Sequence, residues 1–368
     1  MRATQATIYL DHLKHNINAI RKILDPLMNI CMAVKADAYG HGAIEISKAA
    51  LHSGVDCFGV ATIKEGIALR EAGITCPVIL FSLPLPEEIP SLFYYQIMPV
   101  VASRDIVNLL NQEGKQDNFI LEVHLKIDTG MGRIGCLPDE ALNIARLIDE
   151  SEYLTLNGIC THFAGSDMRD NQFAREQAQI FEKIILDMKA AGINTGIIHA
   201  ANSGAVIDMP GVAFDMVRPG ILMYGYYPSG EQDRSIDVKP VMELKTKITF
   251  IKKVPPDTPI SYGMTYRTKE TTHIATIPVG YGDGYSRLLS NQGKVFIRGK
   301  QYPIAGRVCM DQSMIDLGPS TDVELYDEVI LFGPGAGVPD AEDIANLMGT
   351  IPYEVTCLIT KRVPRVYV

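Results

Sequence analysis

The 368-residue chain has no dense Lys/Arg cluster, no apolar run of membrane length, no C-x-x-C pair and no low-complexity segment. Each absence excludes a class. With no basic surface to neutralise a phosphate backbone and a net charge of −9, nucleic acid is not an expected partner. The longest apolar runs fall far short of a bilayer span, so no membrane is expected either. The opening MRATQATIYL lacks the basic, apolar, small-residue order of a signal peptide. The seven cysteines are odd in number and scattered, which points to reduced thiols in a cytoplasmic protein and to no disulfide or metal framework.

What remains is an ordinary globular composition, 47% hydrophobic and 21% charged, on a chain too long for one core. Two domains are expected. Eight short apolar runs lie in the first two-thirds: ICMAV (30–34), CFGVA (57–61), PVILF (77–81), QIMPV (96–100), FILEVHLKI (119–127), NGICTHF (157–163), GIIHA (196–200) and FDMV (214–217). They do not alternate, as suits strands buried on both faces. Helical patterns such as IEISKAALHSG, IKEGIALREAG, DEALNIARLIDE and FAREQAQIFEKIILDMKAAG separate them. Eight β-α units point to a (β/α)8 TIM barrel over 11–228, with an open doubly wound sheet as the competing reading. After the polar connector YYPSGEQDRS the sequence turns β-branched and rich in Gly and Pro, with one clear helix, AEDIANLMG. That reads as a mostly β C-terminal domain over 229–368, which the strand-like segment 1–10 could join.

In a barrel, functional side chains gather at the C-terminal ends of the strands. Here those ends carry Lys35, then Lys126 to Arg133, Thr161-His162, His199 to Gly204, and Arg218-Pro219-Gly220. Few carboxylates are among them, so the mouth is cationic and suits an anion. Asn202-Ser203-Gly204 and Gly220-Ile221 follow strands 7 and 8, a common phosphate site in barrels, and offer a hydroxyl and backbone N–H groups. A phosphate site across from a lysine is what pyridoxal phosphate needs. Each residue alone has a plainer reading. Lys35 could be a strand-end lysine snorkelling to water, His162 and His199 hydrogen-bonded core histidines, Asn202-Ser203-Gly204 a helix cap, and Arg218 half of an ion pair.

Taken in order, AVKADAYGHG, LKIDTGMGRIG, THFA, HAANSG, DMVRPGILMYG, SYGMTY, VGYGDGYSR, GRVCMDQ and PYEVTC resemble the motifs of the alanine racemases across essentially the whole chain. The resemblance implies a cofactor, pyridoxal 5'-phosphate, held through the amine of Lys35. It implies two bases, Lys35 and Tyr262, on opposite faces of a small amino-acid substrate. Tyr39, Ser203, Gly220, Ile221 and Tyr353 would take the phosphate, with Asn202 beside them. Arg218 would meet the pyridine nitrogen and His162 would link it to Tyr262. Arg133 and Met310 would receive the substrate carboxylate. Asp167, Tyr281, Arg287, Arg307, Asp311 and Ile351 would line an access corridor, and Lys126 matches a position that some members carbamylate. Tyr262 and Met310 would come from the second copy of a homodimer. The implied role is supplying D-alanine for peptidoglycan.

Chemically the pattern is coherent. Racemisation removes a proton from one face of Cα and returns one to the other, which two bases do without turning the substrate over. Lysine and tyrosine ionise near 10, so both need tuning: burial and positive charge lower the lysine, and Arg218 with a protonated His162 would favour a tyrosinate. Rival readings are a non-catalytic pyridoxal-phosphate protein, a decarboxylase of similar architecture, and a metal-dependent hydrolase using His162, His199 and a carbamylated Lys126. They lack, respectively, a use for SYGMTY, the expected C-terminal Cys-Asp pair, and a His-x-His after strand 1.

Overall fold

Short apolar runs divided by amphipathic helices close on themselves in the first part of the chain. The computed structural model describes residues 3–368, so Met1 and Arg2 of the expected first strand lie outside the described residues. The strands are β1 (Gln5–Ile8), β2 (Asn29–Ala33), β3 (Cys57–Val60), β4 (Val78–Leu80), β5 (Met98–Val101), β6 (Leu121–Lys126), β7 (Leu154–Cys160), β8 (Ile197–His199) and β9 (Met216–Val217). β2 to β9 form a closed, parallel, eight-stranded barrel in sequential order, which decides against the open sheet. Every residue of β3, β4 and β5 is buried, the signature of strands covered on both faces.

The helices between them bury one stripe each. The helix Arg104–Asp117 is capped by the Ser103 side chain and turns Ile106, Val107, Leu110 and Gly114 inward. The helix Ala141–Asp149 buries Ala141, Ile144, Ala145 and Ile148 at helical spacing. The helix Ile63–Glu71 opens with a capping box between Thr62 and Glu65.

The second unit holds β10 (Met242–Lys247), β11 (Phe250–Val254), β12 (Pro259–Ile260), β13 (Tyr266–Arg267), β14 (Thr272–Ile277), β15 (Lys294–Ile297), β16 (Lys300–Pro303), β17 (Ser313–Asp316), β18 (Glu328–Phe332) and β19 (Arg365–Tyr367). Six strands make one sheet in the order β16-β15-β18-β10-β1-β19, and β11, β14 and β17 make another. β1 joins this unit, antiparallel to β10 and parallel to β19. Two helices, not one, lie here. Ala341–Met348 was legible; Pro352–Leu358 was not, because Pro at its first position reads as a breaker when no longer pattern supports it.

One buried side chain ties the barrel to the connector. Asn16 donates to the carbonyls of Met223 (3.0 Å) and Lys239 (2.9 Å) and accepts from the Lys239 N–H (2.7 Å). Asn16→Ala would strand these buried groups, an expected loss of about 3 kcal/mol that lowers the urea midpoint. A midpoint within error of wild type would show that the connector relaxes to pair elsewhere.

Candidate functional site

Lys35 does not end a strand. β2 stops at Ala33, and Lys35 opens a single turn of left-handed helix. Ala36, Asp37, Ala38 and Tyr39 all have φ between 52 and 55°. An L-residue pays roughly 1–2 kcal/mol for this conformation, so the turn must be held from outside. Glu65, the capping-box carboxylate, accepts from the Ala36 N–H (2.7 Å). Asp37 accepts from the Ala43 N–H (2.8 Å) and so starts the next helix. Buried His41 donates from Nδ1 to the carbonyls of Tyr39 (2.9 Å) and Ala38 (3.0 Å). Burial lowers His41 to about 4, so it works as a neutral ring. Arg365 of β19 donates to the Gly40 carbonyl (2.9 Å), fastening the turn to the second unit.

The turn brings Lys35 and Tyr39 to the edge of a cavity of about 350 Å³ at the C-terminal end of the barrel. The same cavity is lined by Lys126, Arg133, His162, Asn202, Ser203, Arg218, Gly220 and Tyr353, along with Phe81, Cys160 and others. Its lining holds four cationic side chains and no carboxylate. Burial and the nearby Arg133 lower Lys35 below its ordinary value, although Glu65 opposes this. Burial, aided by Arg218 and Arg133, lowers Lys126 to about 8.

Arg218 is the most constrained of the four. It is buried, and its guanidinium meets neutral acceptors instead of an acid, so the ion-pair reading fails. It donates to His199 Nδ1 (2.7 Å) and to the carbonyls of Thr161 (2.8 Å) and Ala200 (2.9 Å), with His162 Nδ1 at 3.4 Å. Arginine has no acceptor, so the facing nitrogen of each histidine must be unprotonated. Burial and the surrounding cations hold His162 well below its ordinary value. The expectation of a protonated His162 is therefore corrected: it is neutral, with its proton on Nε2. His199 uses both ring nitrogens, on Arg218 and on His124 (2.9 Å), leaving none for the metal that a hydrolase would need.

Ser203 and Gly220 form one rim of the cavity. The Ser203 hydroxyl accepts from the Gly220 N–H (2.8 Å), and Ile221 opens the short helical turn Ile221–Tyr224. A Cβ at Gly220 would fall 2.5 Å from the Tyr39 hydroxyl, so only glycine permits that approach. Tyr353 reaches this rim from the helix Pro352–Leu358, its ring 5.8 Å from that of Tyr39. Asn202 also lines the cavity, but its side chain caps the helix Ser203–Asp208 by accepting from the Ala205 N–H (3.1 Å). The plain helix-cap reading describes that residue.

The remaining residues singled out from the sequence fall elsewhere. Ile351 immediately precedes the Tyr353 helix, and Asp167 lies in the loop after β7, where its carbonyl accepts from Ser229 (2.5 Å). Tyr262, Tyr281, Arg287, Arg307, Met310 and Asp311 are on the second unit, and none lines the cavity of its own chain. Several share one patch. Ser261 donates to the Arg307 carbonyl (2.6 Å), Tyr281 N–H to the Cys309 carbonyl (3.0 Å) and Gly282 N–H to that of Met310 (2.9 Å). Tyr262 is 72% exposed and Met310 52%, with Met264 also exposed. Asp311 pairs with Arg362 at 2.7 Å.

Two contributors escape a motif-by-motif reading. His124 sits two residues before Lys126 on β6, and period-2 alternation puts both on the barrel's inner face. Glu65 is legible as the fourth residue of T-x-x-E in TIKE, but nothing local says that it also reaches Ala36.

The shifted amine of Lys126 has a measurable sign. Between about pH 8 and its unfolded value near 10.4, the unfolded chain binds more protons than the folded one, so stability rises with pH. Lys126→Met removes the buried charge. Its thermal midpoint in CO2-free buffer should exceed wild type near pH 7 and converge by about pH 10. A pH-independent difference would mean that Lys126 keeps its ordinary pKa.

Comparison with known proteins agrees with the motif resemblance. Residues 8–228 match the family described as alanine racemase, N-terminal domain, and residues 241–367 match its C-terminal domain. An alanine racemase of Treponema denticola is 51% identical, covering 100% of this chain and 99% of the relative. One from Halothermothrix orenii is 44% identical, covering 100% and 97%. The solved alanine racemase of Clostridium difficile superposes with a TM-score of 0.96 at 40% identity, covering 100% of this chain and 96% of that one. The chain belongs to the alanine racemase family.

Proposed function

We propose that this protein interconverts L- and D-alanine with pyridoxal 5'-phosphate and a pair of bases, supplying D-alanine for peptidoglycan in the cytoplasm. The observation that carries the proposal is a lowered lysine amine in a cationic, carboxylate-free cavity opposite a rim of hydroxyls and backbone N–H groups. That donor set fits the cofactor. Tyr39, Ser203, Gly220, Ile221 and Tyr353 suit a phosphate, Lys35 suits an aldehyde, and Arg218 can only donate to a ring nitrogen. When bound, the cofactor supplies the electron sink that stabilises negative charge at Cα.

The protein's own groups do the rest. Lys35 moves the Cα proton on one face and the Tyr262 phenol of a second copy moves it on the other. Arg133 and the Met310 N–H hold the substrate carboxylate. His162, neutral and donating from Nε2, orients the tyrosine. Asp167, Tyr281, Arg287, Arg307, Asp311 and Ile351 line the route inward. The patch of exposed Tyr262, Met264 and Met310 supports the homodimer, because those side chains have no use in their own cavity. We assign 11–228 to the cofactor-binding domain and 229–368, with the first strand, to the domain that supplies the partner residues. Nothing in this reading calls for a metal, a nucleic acid or a membrane, and among the described residues no helix is long and apolar enough to cross one.

Two experiments test the proposal. Optical rotation of L-alanine should decay with wild type, and with neither Lys35→Ala nor Tyr262→Ala. Mixing and reassociating the two inactive variants should restore roughly one quarter of wild-type activity, since half the dimers carry one intact site. No restoration would sink the shared site. We also propose that Lys126 takes up CO2 as a carbamate that orders Arg133. Incubation with 13C-bicarbonate should give a carbonyl resonance that Lys126→Met abolishes.

A further inference from the structure

Beneath the cavity, Arg218 begins a row of side chains that the racemase reading does not use. His199 accepts from Arg218 at Nδ1 (2.7 Å), and its Nε2 lies 2.9 Å from Nδ1 of His124. Both rings are buried and meet edge to face at 4.9 Å. The barrel is shaped around this contact. The register of β6 against β7 shifts between Val123 and His124. Beside the shift stands Gly158, where a Cβ would lie 2.5 Å from His124 Nδ1. A side chain at position 158 would push the imidazole away. At the outer end, His124 faces the Asn157 side chain, its hydrogen-bonding neighbour there. Its ring borders a second cavity of about 260 Å³ at the opposite end of the barrel, lined also by Asn157 and Glu122.

We propose that His124 is a positioning residue for the racemase site, locking His199 into one tautomer so that Arg218 is held as a donor to the cavity. The tautomers are set by Arg218. Its N–H can only donate, so His199 Nδ1 carries no proton. A neutral His199 then carries its proton on Nε2, and His124 Nδ1 must accept it. That fixes the His124 proton on Nε2, facing the lower cavity. Both histidines are kept neutral by burial and by the charge of Arg218. With one terminal nitrogen held by His199 and the other by the Thr161 and Ala200 carbonyls, the guanidinium plane cannot turn. Among the described residues the Arg218 Nε–H makes none of these bonds and is left for the cavity that Arg218 lines. Without His124, the buried His199 Nε2–H loses its acceptor. The ring then gains by moving its proton to Nδ1, which would set one donor against another at Arg218.

The catalytic consequence rests on the racemase reading, but the tautomers do not. Solid-state NMR of protein labelled at histidine 15N should show both rings neutral, unprotonated at Nδ1 and protonated at Nε2. Signals would be assigned by loss in His124→Gln and His199→Gln. An imidazolium, or a protonated Nδ1 on either ring, overturns the proposal. His124→Phe should lose roughly tenfold or more in kcat with alanine KM changed less than about twofold, and should move the visible absorption of cofactor-loaded protein. His124→Gln, which keeps an acceptor oxygen, should restore most of kcat and the original absorption. Equal behaviour of the two variants overturns the positioning role. If His124→Phe does not fold, the wild-type spectrum still decides. A wild-type protein with the expected tautomers and no racemase activity would remove the functional reading and leave the hydrogen-bonded row standing.

Discussion

A buried guanidinium without a buried acid is the constraint around which the barrel is arranged. A charge removed from water is tolerated only where it is hydrogen-bonded. Arg218 meets that requirement with two carbonyls and two imidazoles, all neutral. Its full positive charge therefore stays in the site instead of being cancelled. His162 and His199 are kept neutral by burial and, after it, by this charge, and Lys126, lowered mainly by burial, loses affinity for its proton partly through it. An acid in place of His199 would cancel the field that makes the cavity attractive to anions.

The strained turn after β2 shows a second economy. Four residues in left-handed conformation are unfavourable in isolation, yet the turn is held from four directions: Glu65 beside β3, His41 within the turn, Asp37 onto the next helix, and Arg365 from the second unit. The result is a lysine whose backbone cannot drift, placed by elements that are themselves packed. Backbone strain at a reactive residue persists only where surroundings over-determine it. Asp37 and His41, polar residues with no chemical part to play, serve as those surroundings.

How much of this could be read in advance depends on the range of each interaction. The eight barrel strands were legible because burial on both faces leaves uninterrupted apolar runs, and a run such as VIL of β4 needs no tertiary information to be recognised. The residues at the strand ends followed from topology alone, which is why Lys35, Lys126, Arg133, His162, Ser203 and Arg218 meet at one cavity. The left-handed turn was not legible: AVKADAY carries no glycine before Gly40, so the sequence gives no sign of positive φ. The protonation of His162 was misread because it depends on burial and on four cations distant in sequence, Lys126, Arg218, Arg133 and Lys35. The helix at Tyr353 is too short to show a period, and His124 lies inside β6, two residues before the strand end, where only its distant partner His199 gives it a role.

One feature of the topology bears on the order of assembly. β1 lies inside the six-stranded sheet, between β10 and β19, with neighbours more than 200 residues away along the chain. The barrel strands can pair in the order of synthesis, each with the one before it. β1 cannot. A nascent chain that has already built all eight barrel strands still carries residues 5–8 with both edges open. They gain their first neighbour when 242–247 arrive and their second only at 365–367. The loop fastened to Gly40 by Arg365 closes at the same moment, so the turn bearing Lys35 is among the last parts of the molecule to be secured.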